Sequence, residues 1–270
     1  MTHTGTMSEV GPLIRLWRNA RGLSQLALAA GSVVSLRHLS FIETGRSAPS
    51  RAMVLKLAEV LDVPLRERNS LLLAAGFAPV YPESALDVPA LAAVRDALDA
   101  ILAQQEPYPA LVIDRDWNIR QANGAAARFF RFLQAGHDAA VPGQPNVLRR
   151  MFHPDGVRRY VTNWPEVCKA LVRRARREAI GGITDERAQT ILREVLAYPG
   201  VPPSLRSLDA TVPTTPVVPI QYARDGRRFD YFSTVTTLGT AQDITVQELR
   251  IECFFPANDV TRDNARALAE

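Results

Sequence analysis

Five short apolar stripes at helical spacing occupy the first 80 residues, and each is bounded by a residue that favours a helix terminus. The first stripe follows Pro12, the second and third follow Ser24 and Ser35, and the fourth follows Pro49-Ser50. Serine can accept hydrogen bonds from the free N–H groups of a first helical turn, and proline is tolerated there. A fifth helix is predicted from Leu71 to Ala75. The pattern predicts a small all-α domain in which the second and third helices are joined by a tight turn.

The excess positive charge of the chain lies in this first domain. The whole chain carries a net charge of +4, and residues 1–80 hold nine Arg or Lys residues against five Asp or Glu residues. A basic surplus on one small domain favours a polyanionic partner, because neutralised phosphates release counterions. A chance imbalance of four charges explains the same numbers, so charge alone leaves the partner open.

Three strings in the domain carry a more specific signal, namely Leu23-Ser24-Gln25, residues 35–46 and Pro49-Ser50. They resemble the helix-turn-helix regulators of the repressor-like, XRE type. The resemblance implies that the second helix lies across the backbone of double-stranded DNA and that the third enters the major groove. We therefore expect sequence-specific binding of an operator by a homodimer that reads two half-sites.

The third helix should supply the base contacts, because Leu39 and Ile42 face inward and leave the remaining face to the DNA. Arg37 can bond two acceptors of guanine, and Leu36 can contact a thymine methyl group. Amide, hydroxyl and guanidinium groups at helix ends usually meet phosphates. His38 is left open between a base contact and packing beside the core. The predicted DNA-binding residues are Gln25, Ser35, Leu36, Arg37, His38, Ser40 and Arg46, with Gln25, Ser35 and Arg46 assigned to phosphates.

The turn before this third helix departs from the pattern of the family that it resembles. Members usually place a glycine there, where a positive φ is easiest, but this chain has Val33, and Gly31 lies two residues earlier. Valine in a left-handed conformation is costly. We expect either a different turn geometry or a second helix that ends at Gly31.

A different pattern follows the linker that begins at Tyr81. Pro89 opens a connecting helix, and Leu111–Asp114 with Trp117–Ala122 predict a hairpin followed by a helix. Further helices are predicted over 146–152, 165–179 and 185–198, and strands over 217–222, 228–238 and 249–255, with Asp225-Gly226 as a hairpin turn. The order is similar to that of a PAS domain and predicts an α+β domain, an antiparallel sheet with helices on one side. The predicted boundaries are 1–80 for the DNA-binding domain, 81–106 for the linker and connecting helix, and 107–262 for the PAS-like domain.

Strings of this second region resemble the MmyB-like transcription regulators. They include Ala78-Pro79-Val80-Tyr81-Pro82, Phe152-His153-Pro154-Asp155-Gly156, Asn163-Trp164, Gly239-Thr240-Ala241-Gln242-Asp243 and Glu252-Cys253-Phe254-Phe255-Pro256. The resemblance implies a one-component regulator whose PAS-like domain binds a small apolar, fatty-acid-like effector. The alternative is a DNA-binding regulator whose C-terminal domain is a protein-interaction or dimerisation module without a small ligand.

We predict that the effector pocket lies between the sheet and its helices. Aromatic and aliphatic side chains would form its walls, and a cationic or polar side chain would meet a carboxylate head. The predicted ligand-binding residues are Phe129, Phe130, Leu133, Arg149, His153, Asn163, Trp164, Phe232 and Phe254, with Arg150 as a further candidate for the head group. The other interpretation is that the apolar members are ordinary packed core.

Several functional classes find no support in the sequence. It has no nucleophile elbow, no Gly-rich phosphate loop and no His/Cys cluster with metal-ligand spacing, so we expect no enzymatic activity, no metal and no cofactor apart from a bound fatty acid as effector. Apolar runs such as Leu71 to Ala75 are far shorter than the roughly 20 residues that cross a bilayer. Met1 to Val10 lacks the pattern of a secretory signal. We therefore expect a cytoplasmic protein without membrane contact.

Overall fold

The computed structural model describes residues 9–136, 143, 145–181, 186–207 and 219–270. The chain forms two compact units, of which unit 1 is Met1–Ser84 together with Thr240–Gln247, and unit 2 is Ala85–Gly239 together with Glu248–Glu270. These limits differ from the predicted ones in two ways. The connecting helix belongs to unit 2, and a short stretch of the predicted PAS-like domain belongs to unit 1.

Unit 1 contains the five predicted helices, α1 (Val10–Ala20), α2 (Gln25–Ser32), α3 (Leu36–Glu43), α4 (Arg51–Val60) and α5 (Leu65–Ala74). The side chains of Ser24, Ser35 and Ser50 each accept a hydrogen bond from the backbone N–H three residues further on, which confirms the predicted caps. Helix α5 begins earlier than predicted. Helix α4 ends at Val60, before Asp62 takes a left-handed conformation with φ 47°, and Pro64 is the N-terminal flanking residue of α5.

The turn between α2 and α3 has Val33 at the position where a glycine was expected. Helix α2 continues past Gly31 to Ser32, and Val33 itself takes the left-handed conformation with φ 57°. Both expected alternatives are therefore wrong. Val33 is 90% exposed, so its side chain meets no steric obstacle, and the backbone strain is of the order of 1 kcal/mol.

Helices α2 and α3 bend by 113° at this turn, within the range of about 90–120° that is typical of helix-turn-helix pairs. Leu39 and Ile42 are fully buried, as predicted. Helix α1 packs directly on the end of α3 because Gly11 has no side chain: a Cβ atom there would lie 2.3 Å from the carbonyl oxygen of Ile42.

The second stretch of unit 1 contains a short helix, α11 (Ile244–Glu248), that the sequence did not predict. Ile244 and Val246 are buried, at 3% and 6% exposed. Both residues belong to unit 1, although they lie more than 150 residues beyond its other helices in the chain.

Unit 2 is built on five antiparallel strands, β1 (Ala110–Ile113), β2 (Ile119–Ala122), β3 (Ile220–Arg224), β4 (Arg227–Thr236) and β5 (Arg250–Pro256). Their order in the sheet is β2-β1-β5-β4-β3, which is the PAS-like order and confirms the predicted fold class. Asp225 and Gly226 join β3 to β4 with φ values of 47° and 75°, as expected of a two-residue hairpin turn. The first residues of the strand predicted over 217–222 lie outside the described residues.

Helices cover both faces of the sheet, so the prediction of helices on one side is wrong. The larger core cluster lies on the inner face, where the sheet meets α7 (Gly124–Gln134), α8 (Val147–Phe152), α9 (Trp164–Gly181) and α10 (Glu186–Leu196). On the outer face, the connecting helix α6 (Ala92–Gln104) packs Leu98 and Leu102 against Val112 and Ile251. A last helix, α12 (Asp259–Ala267), packs on β4 and was also missed by the sequence analysis.

Across the described ranges, no single helix has the length and apolar content needed to cross a membrane, although the bent pair α2 and α3 meets those two criteria when taken together.

Candidate functional site

The N-terminal half of α3 presents the side chains that the sequence assigned to DNA bases. Leu36 is 45% exposed, and Arg37 is also exposed. The guanidinium carbon of Arg37 lies 5.4 Å from the ring centroid of Phe41, one turn further along the helix. This contact holds the cation over the solvent-facing side of α3. His38 and Ser40 are half-buried.

The three residues assigned to phosphates differ in their surroundings. The Ser35 hydroxyl accepts a hydrogen bond from the His38 N–H at 3.2 Å and so caps α3. Gln25 donates from its side-chain amide to the Glu43 carboxylate at 2.7 Å, which ties the start of α2 to the end of α3. Arg46 is exposed beyond the end of α3. Gln25 must therefore break or share its bond to Glu43 if it is to reach a phosphate.

A buried ion pair lies behind the DNA-facing surface and was not predicted. Arg18 of α1 donates two hydrogen bonds to Glu43, with distances of 2.6 and 3.0 Å, and their side chains are only 10% and 1% exposed. Burial opposes ionisation of Glu43, but the hydrogen bonds from Arg18 and Gln25 outweigh it, so the pKa of this carboxyl is lowered overall. The pair therefore remains charged and fixes α1, α2 and α3 to one another.

Several predicted ligand-binding residues form the packed core of unit 2. Phe129 makes edge-on contacts with Tyr222, Phe229 and Tyr231, at ring-centroid distances of 5.2 to 5.5 Å. Leu133 and Phe254 are buried in the same cluster. Trp164 is buried there too, and its indole N–H donates to the carbonyl oxygen of Met151 at 3.2 Å.

The polar candidates have partners within the protein. Arg149 forms two hydrogen bonds of 2.9 Å with Glu194. The side chain of Asn163 bridges Pro219 and Gln221 of the chain segment that leads into β3. His153 packs edge-on against Tyr198. These contacts show how each residue supports the fold.

Phe232 lies on the other side of the sheet from the predicted pocket. Its ring stacks on that of Phe255 at 5.5 Å, and Phe255 packs against the outer-face cluster. Neighbouring residues of a strand face opposite sides, and Tyr231 is the residue of this pair that faces the inner core. The expectation that Phe232 faces the same interior as Phe129 is therefore wrong.

A groove of about 540 Å³ opens between β2 and α7 at the edge of the sheet. Its described lining contains aliphatic and aromatic side chains, polar amides and three arginines, but no Asp or Glu. The lining residues are Leu111, Ile119, Arg120, Gln121, Ala122, Ala126, Ala127, Phe130, Arg131, Gln134, Ala135, Pro145 and Arg150. Phe130 is thus the residue of the predicted ligand-binding set that lines this groove.

Arg150 differs from the neighbouring Arg149 in having no carboxylate partner within the described ranges. Its guanidinium carbon lies 6.0 Å from the ring centroid of Phe130, and burial lowers its pKa. Arg120 of the same groove lies 3.9 Å from Asp114 and is partly neutralised by it. Arg150 is therefore a partly desolvated cation on the groove wall, and none of the described acidic residues pairs with it.

Most of this groove was not predicted. Trp117–Ala122 were predicted as a hairpin strand, and nothing in their sequence indicates that β2 is an edge strand beside α7. The signal that was available is the pair Arg149-Arg150, of which either member could have met an acid. Only the structure shows that Glu194 takes the first.

A bent pair of short helices of the helix-turn-helix type, on a chain that also has a PAS-like sheet, is the architecture of a DNA-binding regulator with a ligand-binding domain. Residues 14–68 match the family model described as "Helix-turn-helix", and residues 94–268 match the model described as "MmyB-like transcription regulator ligand binding domain". The chain belongs to the MmyB-like transcription regulators. These are families of regulators and not of enzymes, which confirms the expectation that the chain has no enzymatic activity.

The other comparisons are more distant. No curated protein matches the chain. A solved structure titled "Structure of an RNA-binding Light-Oxygen-Voltage Receptor" is 15% identical to it, with a TM-score of 0.25. The match covers 98% of this chain and 62% of that one.

Proposed function

We propose that the effector of this regulator is a fatty-acid-like amphiphile that binds in the groove between β2 and α7. Its carboxylate would pair with Arg150, and its apolar chain would lie on Leu111, Ile119, Ala126 and Phe130. Occupancy would alter the affinity of α3 for an operator.

The observation that supports this proposal is the partly desolvated guanidinium of Arg150, which pairs with no carboxylate in the part of the chain that the structure describes. A cation removed from water without a partner is unfavourable, and a carboxylate is the group that a guanidinium pairs with most directly. Among the described lining residues there is no acidic side chain that would repel such a ligand. A fatty acid satisfies the charge and the apolar wall together, because each buried methylene group contributes about 0.8 kcal/mol.

On the DNA side, we propose that a homodimer binds a palindromic operator in the cytoplasm. One helix-turn-helix covers a single half-site, and two-fold symmetric proteins read two half-sites. The effector then changes operator affinity only if it binds the DNA-competent and DNA-incompetent conformations unequally.

The test compares binding of dodecanoate and 1-dodecanol to the full chain by isothermal titration calorimetry. The wild type should prefer the acid, and Arg150→Gln should weaken acid binding by about tenfold or more while leaving the alcohol unaffected, because a hydrogen bond to a charged group contributes about 1.5–3 kcal/mol. Arg227→Gln, an exposed arginine of β4 outside the groove, is the matched control and should bind as the wild type does.

Equal acid binding by the wild type and Arg150→Gln would contradict the assignment of the head group. If neither probe binds, the effector model fails and the interaction-module alternative becomes the better account. The burial of Phe129, Leu133 and Phe254 in packed core is the observation that favours that alternative.

A further inference from the structure

The DNA-binding unit is assembled from two stretches of chain, and its second stretch interrupts the sensor sheet. Residues 240–247, here called the connector, lie between β4 and β5 in sequence and belong to unit 1. We propose that the connector transmits the state of the sheet to the DNA-binding helices. The transmission of a ligand signal by the connector rests on the proposed function. The mechanical link between the sheet and the start of α5 does not depend on any ligand.

The connector is held in unit 1 by specific hydrogen bonds. The Leu65 N–H, at the start of α5, donates to the side-chain oxygen of Gln247 at 2.7 Å. Pro64 has no side-chain group that could cap α5, so Gln247 acts as a cap supplied from a position 182 residues away. The Ile244 N–H donates to the carbonyl oxygen of Pro82 at 2.8 Å, and the Asp243 carboxylate accepts from the Ser84 N–H at 3.2 Å.

The C-terminal end of the connector is joined to unit 2 by a very short segment of chain. Gln247 caps α5 in unit 1, while Leu249 is 2% exposed in the outer-face core of unit 2. A single residue, Glu248, separates them. Because consecutive Cα atoms are about 3.8 Å apart, Leu249 can move away from Gln247 by only about an ångström or two before Gln247 must follow or lose its bond to Leu65.

This end of the connector is fixed to the hairpin that forms one wall of the groove. The Glu248 carboxylate pairs with Arg115 at 2.7 Å, and Arg250 donates to the carbonyl oxygen of Asp114 at 2.8 Å. Asp114 and Arg115 lie in the turn that leads from β1 into β2. Since Ile119 to Ala122 of β2 line the groove, a shift of β2 on ligand binding would reach Glu248 through this turn.

On the DNA side, α5 packs against α4 and α1, and α1 packs against α3. The contact of α1 with α3 is direct, because the backbone at Gly11 meets the backbone at Ile42. A displaced or frayed start of α5 would therefore act on the position of α3 through one intervening helix.

The experiment measures hydrogen exchange and DNA affinity on the full chain. The DNA probe is a duplex selected by the protein from a random library, and the ligand probe is dodecanoate. Without ligand, Gln247→Ala should speed amide exchange over residues 65–74 by roughly three- to tenfold, because one hydrogen bond is lost. Arg115→Ala should produce a change in the same direction. The matched controls are Gln242→Ala, an exposed connector residue, and Arg227→Ala, an exposed arginine of the same sheet.

With dodecanoate, the DNA affinity of the wild type should change by about fivefold or more, which is the lower end of typical allosteric coupling. Gln247→Ala should bind dodecanoate with unchanged affinity but should show less than a twofold change in DNA affinity. This result would support the connector as the route of transmission.

Two results would overturn the proposal. One is that Gln247→Ala and Arg115→Ala exchange over residues 65–74 at the rate of their controls. The other is that Gln247→Ala keeps the full effect of dodecanoate on DNA affinity. If dodecanoate does not bind the wild type, the proposed effector is wrong, and the exchange comparison still decides for or against the mechanical link.

Discussion

Glu43 is 5% exposed at the C-terminal end of α3, and it is charged. A buried carboxylate persists only where its partners replace water. Arg18 supplies two hydrogen bonds and Gln25 supplies one, so a single side chain joins three helices. Gln25 was predicted to meet a phosphate and Glu43 was assigned no role, because nothing local indicates that Arg18 and Glu43, 25 positions apart, form a pair.

The lowered pKa of Glu43 predicts an acid-sensitive DNA-binding unit. A carboxyl whose folded pKa is lowered contributes stability above its unfolded pKa of about 4.3, and that stability is lost as pH falls towards the folded pKa. Urea unfolding of the wild type should therefore show a falling free energy of unfolding from about pH 5 downward. Glu43→Gln should lose about 3 kcal/mol at pH 7, because it breaks a buried pair, and should depend less on pH.

The control for this measurement is Glu59→Gln, which removes an exposed carboxylate of α4 that pairs with Lys56. It should leave the free energy of unfolding close to that of the wild type, because solvent screens an exposed ion pair. A Glu43→Gln variant that keeps the full pH dependence of the wild type would show that other carboxyl groups cause the acid sensitivity.

Val33 shows what a residue pattern can and cannot predict. The missing glycine was visible in the sequence, and so was the cost of valine in its place. The left-handed conformation of Val33 depends on Leu28 and Leu39, which lie on either side of the turn and are both fully buried. Each buried side chain of this kind contributes about 1.5–3 kcal/mol, so packing outweighs the strain of one left-handed residue.

At the scale of elements, α3 has a buried face and an exposed face that carries Arg37. Arg46 is exposed in the segment that follows α3. Arg37 extends from the helix, where base edges would lie, and Arg46 lies beyond its end. The two arginines should therefore have different roles although both are exposed.

We predict that Arg37→Ala costs about 1–3 kcal/mol in operator binding and relaxes the preference at one base position, whereas Arg46→Ala weakens binding to all sequences alike and reduces the salt dependence. Selection from a random library followed by affinity measurements at two salt concentrations distinguishes these effects. A uniform loss in both variants would mean that Arg37 contacts a phosphate and that the DNA-reading face of α3 is assigned wrongly.

Elements with local signals were predicted well. Serine caps marked α2, α3 and α4, and Asp225-Gly226 marked the hairpin of β3 and β4. Helix α11 could not be predicted from local signals, because it is only five residues long and belongs to a unit whose other helices end before residue 84. The edge position of β2, which creates the groove, is likewise a property of the sheet and not of the residues 119–122 themselves.

At the scale of the whole molecule, the proposed dimer gives a geometric prediction. The full chain should be dimeric in light scattering with its selected duplex, and the selected site should contain two inverted half-sites about 10 base pairs apart, centre to centre. A duplex with one half-site scrambled should bind much more weakly. A strict monomer both with and without the duplex would contradict the dimer.

The discontinuous DNA-binding unit also limits how such regulators can be recombined. A graft that joins the helices at residue 84 to a foreign sensor would lack Gln247, Ile244 and Val246, and α5 would begin with an uncapped N–H. The donor sensor would have to bring its own β4–β5 loop, matched to the surface formed by Leu65, Pro82 and Ser84. Exchange of sensors within this architecture therefore requires two compatible junctions, and the loop and the helices it contacts should diverge as a matched pair.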